Sequence, residues 1–205
     1  MPENTFATNS FYEVLSTKYS EFLKRDEVYE IIIQFRRLPL WPGHQVMWSG
    51  VPRDWVQSWA DERGMQTLSS ALGPLMDGKS RVCRRRHKTT EEWSLYVAGA
   101  SALFAECLPK GHVVTLVTRP PPQRLHPLGS TTYQLLELPA LKRDIYGLSA
   151  SRIDVVHITV RGAENYAYQF WPIDEKHHWI ESFSYCLIRK HLGRKSVRLS
   201  SSKRR

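Results

Sequence analysis

A single acidic residue, Glu137, interrupts the apolar run 132–139, and its carboxylate is the first candidate for chemistry in this chain of 205 residues. If the run is a strand, alternation places Tyr133, Leu135 and Glu137 on one face. A carboxylate within a buried strand is costly unless it is paired or used. Ligands of open α/β sheets bind beyond the carboxyl ends of the strands, which is where this pattern places Glu137. The pattern by itself leaves two interpretations open: Glu137 is either the outward-facing residue of the strand or a functional residue.

Hydroxyl and aromatic side chains are frequent in four segments, residues 46–51, 65–76, 99–117 and 126–141. The sequence has no glycine-rich phosphate loop, HExxH helix, CxxC pair or GxSxG elbow. Tryptophan and small hydroxyl residues also serve as ordinary core residues. Residue types alone therefore leave both packing and ligand binding open for these segments.

The order and spacing of the four segments resemble those of the ADP-ribosyl cyclase and NAD glycohydrolase family over about residues 46–160. The matching motifs are a Trp-Ser strand end in VMWSGV, a Thr-Leu segment with a following glycine in MQTLSSALG, and a Ser-x-x-Phe-Ala-Glu helix leading into a Gly-x-Val strand. The last motif is a Ser-Thr-aromatic turn whose aromatic residue precedes the glutamate by four positions. Each motif is weak alone, and their common order makes the resemblance more specific.

The resemblance implies a role for each matched residue. Glu137 corresponds to the catalytic glutamate, and Ser101 corresponds to the serine that faces the reacting ribose carbon. Trp48 corresponds to the aromatic residue that lines the nicotinamide pocket. The positions that hold the pyrophosphate and the nicotinamide ribose are Ser49, Thr132 and Tyr133. The implied substrate is NAD or NADP, and neither a metal nor a further cofactor is expected.

The chemistry of NAD cleavage suits a site with one carboxylate. The bond to be broken joins ribose C1′ to a pyridinium nitrogen, so nicotinamide leaves as a neutral molecule without protonation. The general acid of a glycosidase pair is then unnecessary, and one carboxylate can stabilise the oxocarbenium-like cation. A tryptophan face attracts the cationic ring by ~0.5–2 kcal/mol. Hydroxyl groups and backbone amides can bind phosphate oxygens without a metal.

Three features depart from the family pattern. Ser69 and Ser70 stand where family members commonly carry acids, which bears on the balance between cyclisation and hydrolysis of the intermediate. Val97 replaces a second pocket tryptophan, and Trp93, one turn earlier on the same helix, is a candidate to fill that space. Gly50 stands where some members have an arginine, so a phosphate contact would come from another arginine; the candidates are Arg53, Arg119 and Arg124.

Two alternative functions remain open at the level of the sequence. One is a non-catalytic protein that binds NAD or ADP-ribose on the same fold, suggested by Ser69, Ser70 and Val97. The other is a nucleic-acid-binding module that uses the basic segments 81–88 and 186–205. Eight of the 29 Lys and Arg residues lie in 186–205, and the rest of the chain carries 21 basic against 20 acidic residues. A nearly neutral body disfavours nucleic acid as the partner.

The bulk sequence indicates an intracellular protein, with the cytoplasm as the expected compartment and a nuclear address in the basic tail left open. Three cysteines (Cys83, Cys107 and Cys186) cannot all pair with one another and lack metal-ligand spacing, whereas the animal enzymes of the family contain several disulfides. The chain has no apolar stretch of about 18–20 residues and no signal-peptide pattern at its start, so no membrane association is expected.

Hydrophobic periodicity predicts which elements must position these side chains. Helices are expected over residues 10–37, 53–64 and 89–107, and strands over 45–50, 111–117, 132–139 and 152–160. Residues 77–90 are expected to form an exposed loop, and residues 165–188 a loop followed by a closing helix. This order predicts an α/β fold: a small, mostly parallel sheet flanked by helices, with an N-terminal helical lobe and the site in the cleft between them.

We expect one domain over residues 1–185, followed by a basic tail over 186–205. Within the domain, the helical lobe would consist mainly of residues 1–40 and 52–107, and the sheet lobe mainly of 44–50 and 111–185. The sequence leaves undecided the oligomeric state, the preference for NAD or NADP, and a signalling or toxic role.

Overall fold

The computed structural model describes residues 5–37, 43–108, 111–120, 131–142 and 150–183, with side chains described from residue 11 onward. The helices are α1 (Thr5–Lys18), α2 (Arg25–Arg37), α3 (Arg53–Asp61), α4 (Leu68–Leu72), α5 (Thr90–Glu106) and α6 (Leu138–Lys142). The strands are β1 (Gln45–Ser49), β2 (Gln66–Thr67), β3 (Val113–Thr118), β4 (Arg152–Val156) and β5 (Ala167–Trp171). A π-helical turn, Tyr133–Glu137, leads into α6, and residues 176–183 are helical.

The strands form one sheet in the order β2-β1-β3-β4-β5. The pairs β1–β2, β1–β3 and β3–β4 are parallel, and β5 pairs with β4 antiparallel. The predicted fold class, a mostly parallel sheet flanked by helices, is confirmed. The chain runs from β1 to β2 on one side and then crosses to β3 on the other side, so the strand order reverses between β1 and β3. Such reversal points create a crevice at the carboxyl edge of α/β sheets.

Helices cover both faces of the sheet because successive strand residues point to opposite sides. Met47 and Leu116 face the larger core cluster, which includes residues of α1, α2, α4 and α5. Val46 and Val117 face a smaller cluster with Val56 and other α3 residues. When crossovers are right-handed, two connections that run in opposite directions along a sheet lie on opposite faces of it. The connection from β1 to β2 contains α3, the connection from β2 to β3 contains α5, and these two helices lie on opposite faces.

Helix α5 is the central helix of the larger cluster, and the helix predicted over residues 89–107 is confirmed. The Thr89 side chain accepts a hydrogen bond from the Glu92 backbone, and the Glu92 carboxylate accepts one from the Thr89 backbone. This reciprocal capping box begins the helix. Gly99 lets α5 approach the segment after α1, because a Cβ at this position would lie 2.5 Å from Leu23 Cγ.

The strand predicted over 132–139 is wrong, because the described residues of this segment are helical. Its buried positions are Tyr133, Glu137, Ala140 and Leu141, a helical spacing, and Leu135 is 59% exposed. In a strand, Leu135 would share the face of Tyr133 and Glu137. Packing against α5 decided the outcome, since a short apolar run fits either period and only its surroundings choose between them.

Other expectations were wrong in detail. The helical pattern over 10–37 divides into α1 and α2, with residues 19–24 between them. Strand β5 was not predicted, because its aromatic residues were assigned to a loop, while the closing helix is present over 176–183. The exposed loop expected over 77–90 contains buried Cys83 and a short 3-10 turn, Arg84–His87. The basic tail lies outside the described residues. None of the described helices has the length and apolar character to cross a membrane.

Candidate functional site

A cavity of about 270 Å³ lies at the carboxyl end of β1, between this strand, α5 and the π-helical turn. Small-molecule sites commonly begin at about 300 Å³, so this cavity can enclose part of a dinucleotide while the remainder lies outside. Its walls mix apolar, hydroxyl and acidic side chains. The lining residues are Val46, Met47, Trp48, Ser49, Gly50, Val51, Leu68, Val97, Ser101, Phe104, Thr131, Thr132, Tyr133 and Glu137.

Glu137 is the acidic residue among those that line this cavity, and Ser101 forms a hydrogen bond with its side chain. The Ser101 hydroxyl on α5 donates a hydrogen bond to Glu137 Oε1. Burial raises the pKa of Glu137 from 4.5 to about 7, and the Ser101 hydrogen bond opposes part of this rise. Oε2 is buried and has no hydrogen-bond partner among the described residues. The two residues expected to act at the reacting carbon are therefore in direct contact, although 36 positions separate them.

A series of side-chain hydrogen bonds joins β1 to the start of the π-helical turn. The Ser49 hydroxyl donates to Thr131 Oγ1 at 3.2 Å, and Thr131 Oγ1 donates to Gln134 Oε1 at 3.0 Å. The Gln134 backbone N–H donates back to Thr131 Oγ1 at 3.3 Å. Thr131 lines the cavity but was not among the predicted site residues. Its Thr-x-x-Gln spacing is a capping-box signature, and this signal could have indicated both Thr131 and the helical turn.

The other three matched residues also line the cavity. Trp48 is half-buried and packs against both core clusters. Thr132 is exposed at the start of the turn, whereas Tyr133 is buried and its hydroxyl has no hydrogen-bond partner among the described residues. Burial raises the pKa of Tyr133 above its usual value, with a further contribution from the Glu137 charge, so the phenol stays protonated. The structure thus brings together Glu137, Ser101, Trp48, Ser49, Thr132 and Tyr133.

Trp93 is not among the residues that line the cavity. Its ring stacks on Tyr96 with centroids 5.1 Å apart, and the Arg85 guanidinium lies 5.5 Å from its centroid. The space expected for Trp93 is lined by Val97. The reason is position along α5. Val97 lies one turn nearer to Ser101, whereas Trp93 lies at the start of the helix, where it meets the basic segment.

The structure places several of the positions that depart from the family pattern. The Ser70 hydroxyl takes part in a capping box with Thr67 at the start of α4. Leu68, on the same helix, lines the cavity. Gly50 lines the cavity with φ of +69°, a conformation that favours glycine and allows the tight turn after β1. Arg53 and Arg119 are exposed and do not line the cavity, and Arg124 lies outside the described residues.

The basic segment 81–88 is partly neutralised by acids of α2. Arg84 donates to Glu30 Oε1 and Oε2 at 2.7 and 2.9 Å and pairs with Asp26 at 2.8 Å. Lys88 Nζ lies 2.6 Å from Glu27 Oε1, and this carboxylate is almost completely buried. Two of the cations counted as a nucleic-acid signature therefore anchor the segment to the helical layer. No group of three or more His, Cys, Asp or Glu side chains suited to a metal occurs in the described part of the chain.

Comparisons with family models, curated proteins and solved structures found no match to this chain.

Proposed function

We propose that this protein cleaves the bond between nicotinamide and ribose in NAD, releasing nicotinamide and ADP-ribose, with cyclic ADP-ribose as a further product. The observation that carries this proposal is the contact between Ser101 and the buried Glu137 in a cavity lined by Trp48. Glu137 is the one carboxylate among the lining residues, and no lysine or arginine among the described residues lines the cavity.

A cationic ligand suits this arrangement because an isolated buried carboxylate is costly to ionise. Burial holds the pKa of Glu137 near 7, and a positive charge bound beside it would lower that pKa and favour the carboxylate. The pyridinium ring of NAD carries such a charge, and the face of Trp48 would attract the same ring. Substrate binding would therefore ionise the group that the reaction needs.

In the proposed reaction, the C1′–N bond breaks and its electron pair goes to the pyridinium nitrogen, so nicotinamide leaves neutral. The Glu137 carboxylate stabilises the positive charge that develops on the ribose. Ser101 positions this carboxylate through Oε1 and leaves Oε2 for the ligand. Water then adds to C1′ and gives up a proton, which completes hydrolysis. Ser49, Thr131 and Thr132 supply hydroxyl groups for the polar remainder of the substrate.

Nicotinamide release from NAD tests the proposal directly. Glu137→Gln keeps the shape of the side chain and removes its charge, so we expect kcat to fall by about 100- to 1000-fold. Glu91→Gln is the matched control, since Glu91 is exposed at the start of α5 and should leave kcat unchanged. Equal turnover by wild type and Glu137→Gln would refute the role of Glu137.

Binding without turnover is the second candidate function. It is favoured by the role of Ser70 in capping α4, because members of the family that the sequence resembles commonly have acids at the positions of Ser69 and Ser70. Calorimetric titration with ADP-ribose and with NAD separates the two candidates. Heat of binding for NAD without nicotinamide release would support a nucleotide-binding protein, and salt-dependent binding of RNA alone would support the nucleic-acid module.

A further inference from the structure

A second pocket, of about 450 Å³, lies where helix α2 and the residue before it meet the basic segment 81–88. This volume is within the range of small-molecule sites. The pocket is lined by four cationic side chains and two carboxylates, together with a histidine and a valine. The lining residues are Lys24, Glu27, Glu30, Arg81, Val82, Arg84, His87 and Lys88. With the histidine neutral, four cations against two carboxylates leave the lining with a net charge of +2.

Two of the four cations are held in place by acids of α2. Glu30 and Asp26 bind the Arg84 guanidinium, whose side chain is 27% exposed. Lys88, with 11% of its side chain exposed, pairs with Glu27. Arg84 Nη1 lies 3.8 Å from Glu27 Oε1, which is beyond hydrogen-bond distance, so its N–H groups remain available to a ligand. The ion pairs therefore fix both cations at the pocket before a ligand binds, which lowers the entropy cost of binding.

The pocket also has basic side chains that the fold does not use. Arg81 and His87 are exposed, and neither side chain has an ion pair or hydrogen bond within the part of the chain that the structure describes. Lys24 is exposed at the same pocket. Like charges around one pocket repel each other, and a bound anion would remove that repulsion.

The lining also indicates the class of anion. Single-stranded nucleic acid is bound largely by stacking of its bases on aromatic side chains, whereas no aromatic residue is among the described residues that line this pocket. A carboxylate offers two acceptor oxygens in one plane, and a terminal phosphate group offers three with up to two negative charges. Arginine and lysine are the side chains that commonly bind phosphate. A compact phosphate group therefore matches the excess charge and the donors of the pocket.

We propose that this pocket binds the phosphate group of a small phosphorylated molecule. Arg84 Nη1 and the Arg81 guanidinium donate hydrogen bonds to the phosphate oxygens, while Lys24 and Lys88 add positive charge. The pocket shares no lining residue with the cavity that contains Glu137. The inference therefore does not depend on NAD cleavage.

Titration calorimetry of the full chain with inorganic pyrophosphate, at constant ionic strength, tests the site. Arg81→Gln removes an exposed cation and leaves the ion pairs of Arg84 and Lys88 intact, so it should raise the Kd by about five- to twentyfold. Arg161→Gln is the matched control, because Arg161 is an exposed arginine that does not line the pocket. It should leave the Kd unchanged.

Three results would overturn the inference. The first is the absence of pyrophosphate binding to wild type. The second is a Kd that Arg81→Gln does not change, since the anion would then bind elsewhere, for example on the basic tail 186–205. The third is equal weakening by Arg81→Gln and Arg161→Gln, which would show a general effect of net charge.

Two further ligands separate phosphate recognition from its alternatives. Citrate is a tricarboxylate of similar size and charge to pyrophosphate, and we expect its Kd to be about tenfold higher. Equal affinity for the two would mean that the pocket responds to charge alone and would contradict phosphate recognition. A single-stranded RNA without terminal phosphates should show no loss of affinity in Arg81→Gln. If Arg81→Gln instead weakens binding of this RNA and not of pyrophosphate, the pocket belongs to a nucleic-acid interface and the proposal is wrong.

Discussion

At the scale of single residues, the contact between Ser101 and Glu137 determines what the cavity can do. Burial favours the neutral form of the Glu137 carboxyl, whereas the Ser101 hydrogen bond favours the carboxylate. The balance places the pKa of Glu137 at about 7, so the residue changes charge near neutral pH. In its charged form, this carboxylate would favour a ligand that carries positive charge.

Glu137→Gln should show how this carboxyl affects stability. The unfolded glutamate ionises near pH 4.5, whereas the folded one keeps its proton up to about pH 7. The folded state binds more protons in this window, so the wild type loses stability as pH rises through it. The free energy of unfolding of Glu137→Gln minus that of wild type should therefore increase by on the order of 3 kcal/mol between pH 4.5 and 7 and then stay level. Urea unfolding at several pH values measures this difference.

Ser101→Ala is a second variant for the same series of unfolding measurements. It removes the interaction that lowers the pKa of Glu137, so the upper end of the window should move to higher pH. A difference between Glu137→Gln and wild type that does not vary with pH would show that the carboxyl titrates as an exposed group.

At the scale of elements, the helical form of residues 131–142 is what turns Glu137 toward α5. The Thr131–Gln134 capping box begins the turn, and buried Ala140 and Leu141 anchor α6 to the larger core cluster. Tyr133 and Glu137 then fall on the buried side and Leu135 on the solvent side. The turn thus joins a core contact to the cavity wall.

The same substitution at two leucines tests this arrangement. Leu135 is 59% exposed and Leu141 is 1% exposed. We expect Leu135→Ala to change the free energy of unfolding by less than about 0.5 kcal/mol. Leu141→Ala should cost about 2–5 kcal/mol, because it removes buried methyl groups and leaves a cavity. Urea unfolding at constant pH measures both, and similar losses at the two positions would favour the strand arrangement.

At the scale of the whole molecule, Glu27 connects three parts of the fold. Its carboxylate forms an ion pair with Lys88 Nζ at 2.6 Å and accepts a hydrogen bond from the backbone N–H of Lys24 at 2.8 Å. Lys88 also lies 5.4 Å from the ring centroid of Tyr96 on α5. A buried acid of α2 therefore holds the basic segment against the helix that carries Ser101.

Glu27→Gln should be strongly destabilising, by about 3–5 kcal/mol, since it leaves the Lys88 ammonium without its buried partner. Glu62→Gln is the control, because Glu62 pairs with Arg63 at 3.2 Å while its own side chain is 72% exposed. Such an exposed pair contributes about 0–1 kcal/mol. Thermal unfolding of both variants compares the pairs, and a small loss for Glu27→Gln would show that Lys88 finds another partner.

Much of the architecture was predictable from local signals. The Thr89 capping box and the apolar spacing of α5 indicated that helix, and short apolar runs indicated β1, β3 and β4. These signals act within a few residues, so no tertiary information is needed to read them. Six of the seven predicted site residues line one cavity.

Tertiary structure decided the features that depend on contacts between distant segments. The run 132–139 suits a strand or a helix by composition, and packing on α5 made it helical, which buried Glu137 beside Ser101. Trp93 and Val97 occupy the same helix, and only the position of the β1 end placed Val97 at the cavity. The sequence by itself determined which side chains were available for chemistry. The packing of α5 against the sheet and the π-helical turn determined which of them meet, because burial and pairing are properties of the assembled core rather than of any one segment.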